Sequence, residues 1–120
     1  MTGRVALRKP VFDVMFHLPG QQHLSMEFVI DTGFTEQISL PLSVVSVLNL
    51  PYLFDVTASL ADGSKIRIGA YTAIIGWYGS QRTVFVLGMG SRPLLGMGLL
   101  EGSLLTVDCL EGGRVSVDSL

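Results

Sequence analysis

Apolar and polar positions alternate through the N-terminal part of the chain. Residues 11–18 form a strand-like run, residues 19–22 supply Pro and Gly for a turn, and residues 24–30 return as a second run. The pattern predicts a β-hairpin whose second strand delivers Asp31 into a Gly-containing turn. Residues 3–7 are predicted to add an edge strand.

One stretch before residue 90 has helical spacing instead. Residues 42–50 are predicted to form a helix that Asn49 and Pro51 end, although the valines in it oppose helix by intrinsic propensity. Its apolar positions lie close to one helical face: Leu40, Val44, Val47 and Leu48.

The middle of the chain reads as strand and turn. Residues 54–60 and 65–68 flank an Asp-Gly tip, which marks a hairpin, and residues 71–77 and 82–87 form another. Two successive hairpins predict a closed or sandwich-like β domain.

The last third begins with a loop at residues 88–93. A buried strand is predicted at residues 94–96, a short helix near Gly98, and a terminal hairpin from residues 103–108 and 114–117. The fold class is therefore expected to be all-β, with one or two short helices.

Length and composition place these elements in one unit. The 120 residues are expected to form a single domain, residues 1–120, large enough to bury a core without disulfide staples. Charged residues make up only 15% of the chain, against an average near ~25%. With a mean hydropathy of +0.52, this low charge favours a surface partly covered by another chain.

Charge and hydropathy argue against two kinds of partner, nucleic acids and membranes. The net charge is -2 and the eight basic residues are scattered, so no nucleic-acid footprint is predicted. No apolar run approaches the ~18 residues of a membrane span, so we expect no membrane association and a soluble, cytoplasmic protein.

Cysteine and histidine do not indicate a metal site. Cys109 is the single cysteine, so it forms no internal disulfide and is expected to be a half-buried thiol in a strand. His17 and His23 flank one turn, and two ligands without a third make a poor site. No metal and no cofactor are therefore expected.

Two short motifs remain as candidates for chemistry. Residues 88–93 are glycine-rich, but Pro93 stands where a dinucleotide fingerprint needs its third glycine, and a P-loop Lys-Ser/Thr pair is missing. Asp31-Thr32-Gly33 is short enough to occur by chance in roughly 2% of chains of this length. Its setting between an apolar strand and an extended Leu-Pro segment is far more specific.

Read together, the motifs resemble the single-domain, retropepsin-like aspartic proteases, particularly their small bacterial relatives. The resemblance spans about residues 10–118, and the segments that carry it are Phe28-Val29-Ile30-Asp31-Thr32-Gly33-Phe34-Thr35, Leu40-Pro41, Leu60-Ala61-Asp62-Gly63-Ser64 and Leu94-Leu95-Gly96-Met97-Gly98-Leu99-Leu100.

The resemblance implies a closed acid-protease β-barrel that works as a homodimer. Asp31 from each subunit would form the catalytic dyad of an aspartic endopeptidase that cuts extended peptides or proteins. Other residues would support the turn, contact substrate from a flap near residues 60–65, or pack behind the site. The residues that would support the turn are Thr32, Gly33, Phe34 and Thr35. Those in the flap would be Ala61, Asp62, Gly63 and Ser64, and those that pack behind the site would be Leu94, Leu95 and Gly96.

The dimer expectation extends to particular strands. Strands near the N-terminus and at residues 114–117 are expected to interleave with those of the partner and form a shared sheet. Partners are therefore expected to be a second copy of the chain and a peptide or protein substrate.

Two positions depart from the family pattern. Phe34 stands where such proteases usually have a small or hydroxylated residue, so its ring would narrow the substrate cleft. Gly98 replaces a common Asp or Asn and would cost the short helix a capping bond. The alternative function is therefore a non-catalytic dimer of the same fold that binds a peptide or protein without cutting it.

Overall fold

The computed structural model describes residues 1–120, and strands dominate it. Twelve elements follow one another along the chain: β1 (Thr2–Ala6), β2 (Lys9–Phe16), β3 (Leu24–Ile30), β4 (Ile38–Leu40), α1 (Leu42–Leu48), β5 (Tyr52–Ser59), β6 (Lys65–Trp77), β7 (Ser80–Gly88), β8 (Leu94–Leu95), α2 (Met97–Leu100), β9 (Ser103–Val107) and β10 (Arg114–Ser119). The prediction of a mainly-β chain with two short helices is confirmed. Neither helix has the length and apolar character needed to cross a membrane.

All ten strands belong to one sheet. Their order is β5-β6-β7-β4-β8-β3-β2-β1-β10-β9, and a further pairing of Phe16 with Ile75 connects β2 to β6. Most neighbours are antiparallel, whereas β8 runs parallel to β3 and β4 runs parallel to β7. The short β8 lies between the two strands that flank the Asp31 turn, since it pairs with both β3 and β4.

The core follows from alternation along the strands. In β2, every second side chain from Phe12 to Phe16 is buried, and Phe16 stacks on Phe28 of β3 at 5.9 Å between ring centroids. Both rings are fully buried, and burial of one such side chain contributes about 1.5–3 kcal/mol. The core therefore packs β2 against β3, the strand that leads into Asp31.

The two middle hairpins share a strand, which corrects the prediction of separate strands at residues 65–68 and 71–77. β6 continues through Gly69, which stays paired with Asp55 of β5. A Cβ at Gly69 would lie 2.8 Å from the Tyr71 hydroxyl oxygen, so this glycine makes room for a ring. Gly69 therefore meets a packing requirement and does not end the strand.

Both terminal strands have two neighbours within the chain. β1 pairs with β2 and β10, and β10 pairs with β1 and β9. Neither the N-terminal strand nor the strand at residues 114–117 therefore has a free edge for the expected interleaving with a partner. The edge strands of the sheet are instead β5 and β9.

Helix α1 ends slightly earlier than predicted. Asn49 adopts the left-handed conformation with φ of 53° and closes the helix by donating its backbone N–H to the Ser46 carbonyl. Leu50 is buried beyond this cap, so the chain turns from α1 directly into β5.

Candidate active site

Asp31 follows the last residue of β3 and is held from both sides of its backbone. Its N–H donates to the Leu95 carbonyl at 2.9 Å, and its carbonyl accepts from the Phe34 N–H at 3.1 Å. One side-chain oxygen, Oδ1, accepts from the Gly33 N–H at 2.9 Å. This bond fixes the carboxylate and leaves Oδ2 without a hydrogen-bond partner in the chain.

The turn after Asp31 is fastened to the start of α2. Backbone bonds of 2.8–3.1 Å connect the two segments, donor first: Gly96 to Gln37, Met97 to Phe34, and Gly98 to Glu36. The Gln37 side chain adds a bond by accepting from the Phe85 N–H of β7 at 2.8 Å. The loop that carries Asp31 is therefore anchored at its far end as well as at β3.

Close packing explains the two glycines opposite this turn. A Cβ on Gly96 would overlap the Glu36 carbonyl oxygen, and one on Gly98 would lie 2.9 Å from the Thr35 carbonyl oxygen. No side chain fits at either position without moving the turn backbone. Gly98 thus lacks the capping side chain common in the family, and its backbone packs directly against the turn.

The Phe34 ring faces the supporting segment. Its Cδ2 atom would lie 2.5 Å from a Cβ on Gly96, so the ring covers that glycine. Phe34 lines no cavity in the structure, whereas its neighbour Thr32 does. The expectation that this ring narrows a cleft gains no support within one subunit.

A cavity of about 500 Å³ opens beside Asp31. Asp31 is the only acid in its lining, and Lys9 and Arg92 add two basic groups. The other lining residues are Pro10, Val29, Ile30, Thr32, Leu94, Leu105, Val107 and Cys109. The chain by itself therefore presents one carboxylate in a mainly apolar cavity.

Of the predicted supporting residues, Leu94 lines this cavity while Leu95 is fully buried. Leu95 pairs with Ile30 on one side and with Ile38 on the other, so it bridges the strands that enter and leave the turn. Thr35 is exposed and lines no cavity.

The predicted flap tip is the turn between β5 and β6. The backbone reverses at Gly63, whose φ is 85°, and Leu60 donates to the Ser64 carbonyl at 2.8 Å. Asp62 accepts from the Ser64 hydroxyl at 2.6 Å and from its N–H at 2.9 Å, and these bonds lower the pKa of Asp62 below its usual 3.8. None of the four tip residues, Ala61 included, lines the Asp31 cavity.

A second cavity of about 470 Å³ was missed from sequence. Eight apolar residues and Glu36, from the end of the Asp31 turn, line it together with Thr57. Seven of the apolar residues belong to β5, β6 and β7, and the eighth follows β7: Phe54, Val56, Ala58, Ile68, Ala70, Phe85, Leu87 and Met89. The alternation of Phe54, Val56 and Ala58 indicates that they share one face of β5. It does not indicate that this face lines a cavity.

Histidine and cysteine positions add no metal site. The rings of His17 and His23 lie 4.2 Å apart between centroids, and no group of three His, Cys, Asp or Glu residues could hold an ion. Cys109 is exposed in the loop after β9, so its prediction as a half-buried strand residue was wrong. Strand β9 ends at Val107, one residue before the predicted end at residue 108.

Comparison with known proteins supports the fold. No protein-family model and no curated protein matches the chain. Among solved structures, the chain is similar to a retropepsin-like aspartic protease from Rickettsia conorii, with a TM-score of 0.66 and 16% sequence identity. The match covers 100% of this chain and 92% of the other. The chain therefore has a retropepsin-like fold.

Proposed function

We propose that the chain is an aspartic endopeptidase that hydrolyses extended peptides as a homodimer, with Asp31 from each subunit at the reaction centre. One observation carries the proposal. Within a retropepsin-like fold, the Asp31 carboxylate is fixed by the Gly33 N–H and faces a cavity that contains no other acid.

Peptide hydrolysis by carboxyl groups needs two of them. One carboxylate takes a proton from water, the water oxygen attacks the carbonyl carbon, and a second, protonated carboxyl donates a hydrogen bond to the carbonyl oxygen. Aspartic proteases meet this need with two carboxyl groups about 3 Å apart that share one proton. Because the cavity holds Asp31 alone, the second carboxyl has to come from a second copy through a two-fold axis.

Neighbouring residues support this role in different ways. Gly33 supplies the N–H that orients Oδ1 and also allows the close turn, while Thr32, exposed on the cavity side, would hydrogen-bond across the axis to its symmetry mate. The hairpin tip around Gly63 would close over a bound peptide and exclude water. Within one subunit the tip does not line the Asp31 cavity.

The decisive experiment replaces Asp31. Wild type is expected to cleave members of a peptide library between acidic and neutral pH, and Asp31→Asn is expected to lose that cleavage, because an amide cannot act as the base. Asp13→Asn serves as the matched control, since Asp13 is exposed on β2 and pairs with Glu27 on β3, away from the cavity. Products identified by mass spectrometry in the Asp31→Asn digest would remove Asp31 from the mechanism.

Dilution tests the requirement for two copies. If each active site needs two subunits, the activity per subunit falls when the enzyme is diluted below its dimer dissociation constant. A specific activity that stays constant while the sedimenting species changes from dimer to monomer would contradict a shared site.

A second function is favoured by the cavity beside Glu36. This apolar cavity is separate from the Asp31 cavity, so it can hold a peptide side chain whether or not the carboxylates react. A binding module of this kind predicts saturable peptide binding with equal affinity in wild type and Asp31→Asn, and no product after long incubation. Turnover by wild type excludes it.

A further inference from the structure

The cavity beside Asp31 has an excess of basic groups. Asp31 is the only acid among its 11 lining residues, whereas Lys9 and Arg92 are both basic. The chain as a whole has ten acidic and eight basic residues and a net charge of -2. The positive charge beside Asp31 is therefore a local feature of this cavity and does not follow from the composition.

The two basic residues belong to the segments on either side of the strand that leads to Asp31. In the sheet, β3 lies between β2 and β8. Val11 of β2 pairs with Val29 of β3. Continued by two residues, this antiparallel register brings Lys9, the first residue of β2, level with Asp31. Arg92 lies two residues before the start of β8. A peptide bound at the Asp31 carboxylate would therefore have a basic side chain on each flank of β3.

Neither basic side chain is neutralised within the chain. The two ion pairs of the structure are formed by other residues: Arg4 with Glu27, and Arg67 with Asp55. Lys9 and Arg92 are exposed at the cavity, so both are free to pair with an acid on a bound molecule. Charge complementarity of this kind contributes to specificity more than to raw affinity.

We propose that Lys9 and Arg92 make the Asp31 cavity select peptides that carry an acidic side chain, Asp or Glu, within a few residues of the bond to be cut. A carboxylate close to either basic group gains an ion pair that an amide of the same shape does not gain. In the proposed homodimer each copy adds one Lys9 and one Arg92, so acidic residues are selected on both sides of that bond. This inference rests on the proposed function, since it names the substrate class of that same site.

Matched peptides test the selection. A peptide that the wild type cleaves is remade with Glu and with Gln at each position on either side of the cleaved bond, and kcat/KM is measured at pH 6, above the usual pKa of a peptide Glu, about 4.3. At one position or more, the Glu peptide is expected to be cleaved about two- to fivefold better, the usual effect of an exposed ion pair. The preference should shrink between ~10 mM and ~1 M NaCl, because the Debye length falls from about 30 Å to about 3 Å. Equal kcat/KM for every Glu and Gln pair would overturn the proposal.

Substitution of the basic residues identifies which of them select. Lys9→Gln and Arg92→Gln are each expected to lower the ratio of kcat/KM between the Glu and Gln peptides, and the double variant Lys9→Glu with Arg92→Glu is expected to favour Lys over Gln at the same positions. Arg82→Gln is the matched control and should keep the wild-type ratio, since Arg82 on β7 lines no cavity and forms no ion pair. An equal loss of kcat/KM for both peptides in the Lys9 and Arg92 variants would contradict selection, because a role in folding or dimer assembly affects both peptides alike.

The outcomes separate this inference from the proposed function. Cleavage that depends on Asp31 but shows no preference for Glu would refute the inference and leave the peptidase proposal standing. If the wild type cleaves no peptide, the peptidase proposal fails, and fluorescence anisotropy with matched pools of labelled Glu and Gln peptides still tests the charge selection. The Glu pool is expected to bind Asp31→Asn more tightly than the Gln pool, and the difference should disappear when Lys9→Gln and Arg92→Gln are added. Equal dissociation constants for the two pools in Asp31→Asn would refute the inference.

Discussion

At the scale of single residues, the site depends on where side chains are absent. Gly33 brings its N–H to the Asp31 carboxylate, while Gly96 and Gly98 allow the backbone of residues 34–36 to lie directly on the segment that supports it. Phe34 then covers Gly96 with its ring. The carboxylate is fixed by backbone contacts, which leave few ways for the turn to relax.

Gly96→Ala tests this packing. The backbone at Gly96 has φ of -108°, which alanine adopts freely, so any loss of stability comes from the contact of the new Cβ with the turn. We expect the free energy of unfolding to fall by about 1–3 kcal/mol in urea titrations. Peptidase activity should fall with it, because the turn that carries Asp31 has to move.

Gly76→Ala provides the matched control for that variant. Its Cβ would lie 3.6 Å from His17 Nε2, an ordinary contact, so we expect stability to change by about 1 kcal/mol or less. Equal effects of the two alanine substitutions would show that the close approach at Gly96 does not constrain the turn.

At the scale of elements, the β5–β6 hairpin is held at its tip and its base by different interactions. The tip depends on Asp62 and Ser64. Near the base, the Tyr52 hydroxyl donates to Asp55, which also forms an ion pair with Arg67 at 3.1 Å. The hydrogen bond to Asp55 raises the pKa of Tyr52 above 10.0. The tip and the base are therefore held by separate sets of side-chain contacts.

The pKa of Asp62 indicates whether the hydrogen bonds at the hairpin tip are formed. Its pKa is lowered first by the Ser64 hydroxyl, so Ser64→Ala is expected to raise that pKa toward 3.8 in a carbon-detected NMR titration. Since the folded-state pKa lies below the unfolded value, the stabilisation of the turn is present above about pH 3.8 and is lost as pH falls through the lowered pKa. Ser59→Ala, which makes no bond to Asp62, should leave the titration unchanged. An identical titration in Ser64→Ala would exclude the hydroxyl as the cause.

At the scale of the whole molecule, the two chain ends are fastened to one another. β1 pairs with β10, and the N-terminal ammonium group of Met1 donates to the Val117 carbonyl at 3.0 Å. The core cluster includes residues from Val5 to Val117. We therefore propose that residues 1–120 form a single cooperative domain.

Cooperative unfolding tests that proposal. Trp77 is 5% exposed, so its fluorescence follows local packing, while far-UV circular dichroism follows the strands of the entire chain. The two signals are expected to change together in urea, with one midpoint at a fixed protein concentration. Separate midpoints would divide the chain into two units and contradict the proposal.

Local patterns in the sequence were sufficient for much of the fold. Alternation predicted the strand that ends at Asp31, the Asp-Gly tip of the hairpin and the short strand at Leu94, because these features depend on neighbours within a few residues. The same reasoning failed between residues 68 and 71, where the pattern predicted two strands and the structure has one, β6, that continues through Gly69. The sequence does not distinguish a glycine that ends a strand from one that makes room for a neighbouring ring, as Gly69 does for Tyr71.

The sequence by itself determined which residues alternate and where one acid follows a buried strand. Tertiary structure alone decided that β1 and β10 have no free edge, that Cys109 is exposed, and that β9 lies beside Asp31. The physical reason is that strand neighbours are chosen by contacts between distant segments. A residue pattern records which face of a strand is apolar, but it does not record which strand lies next to it.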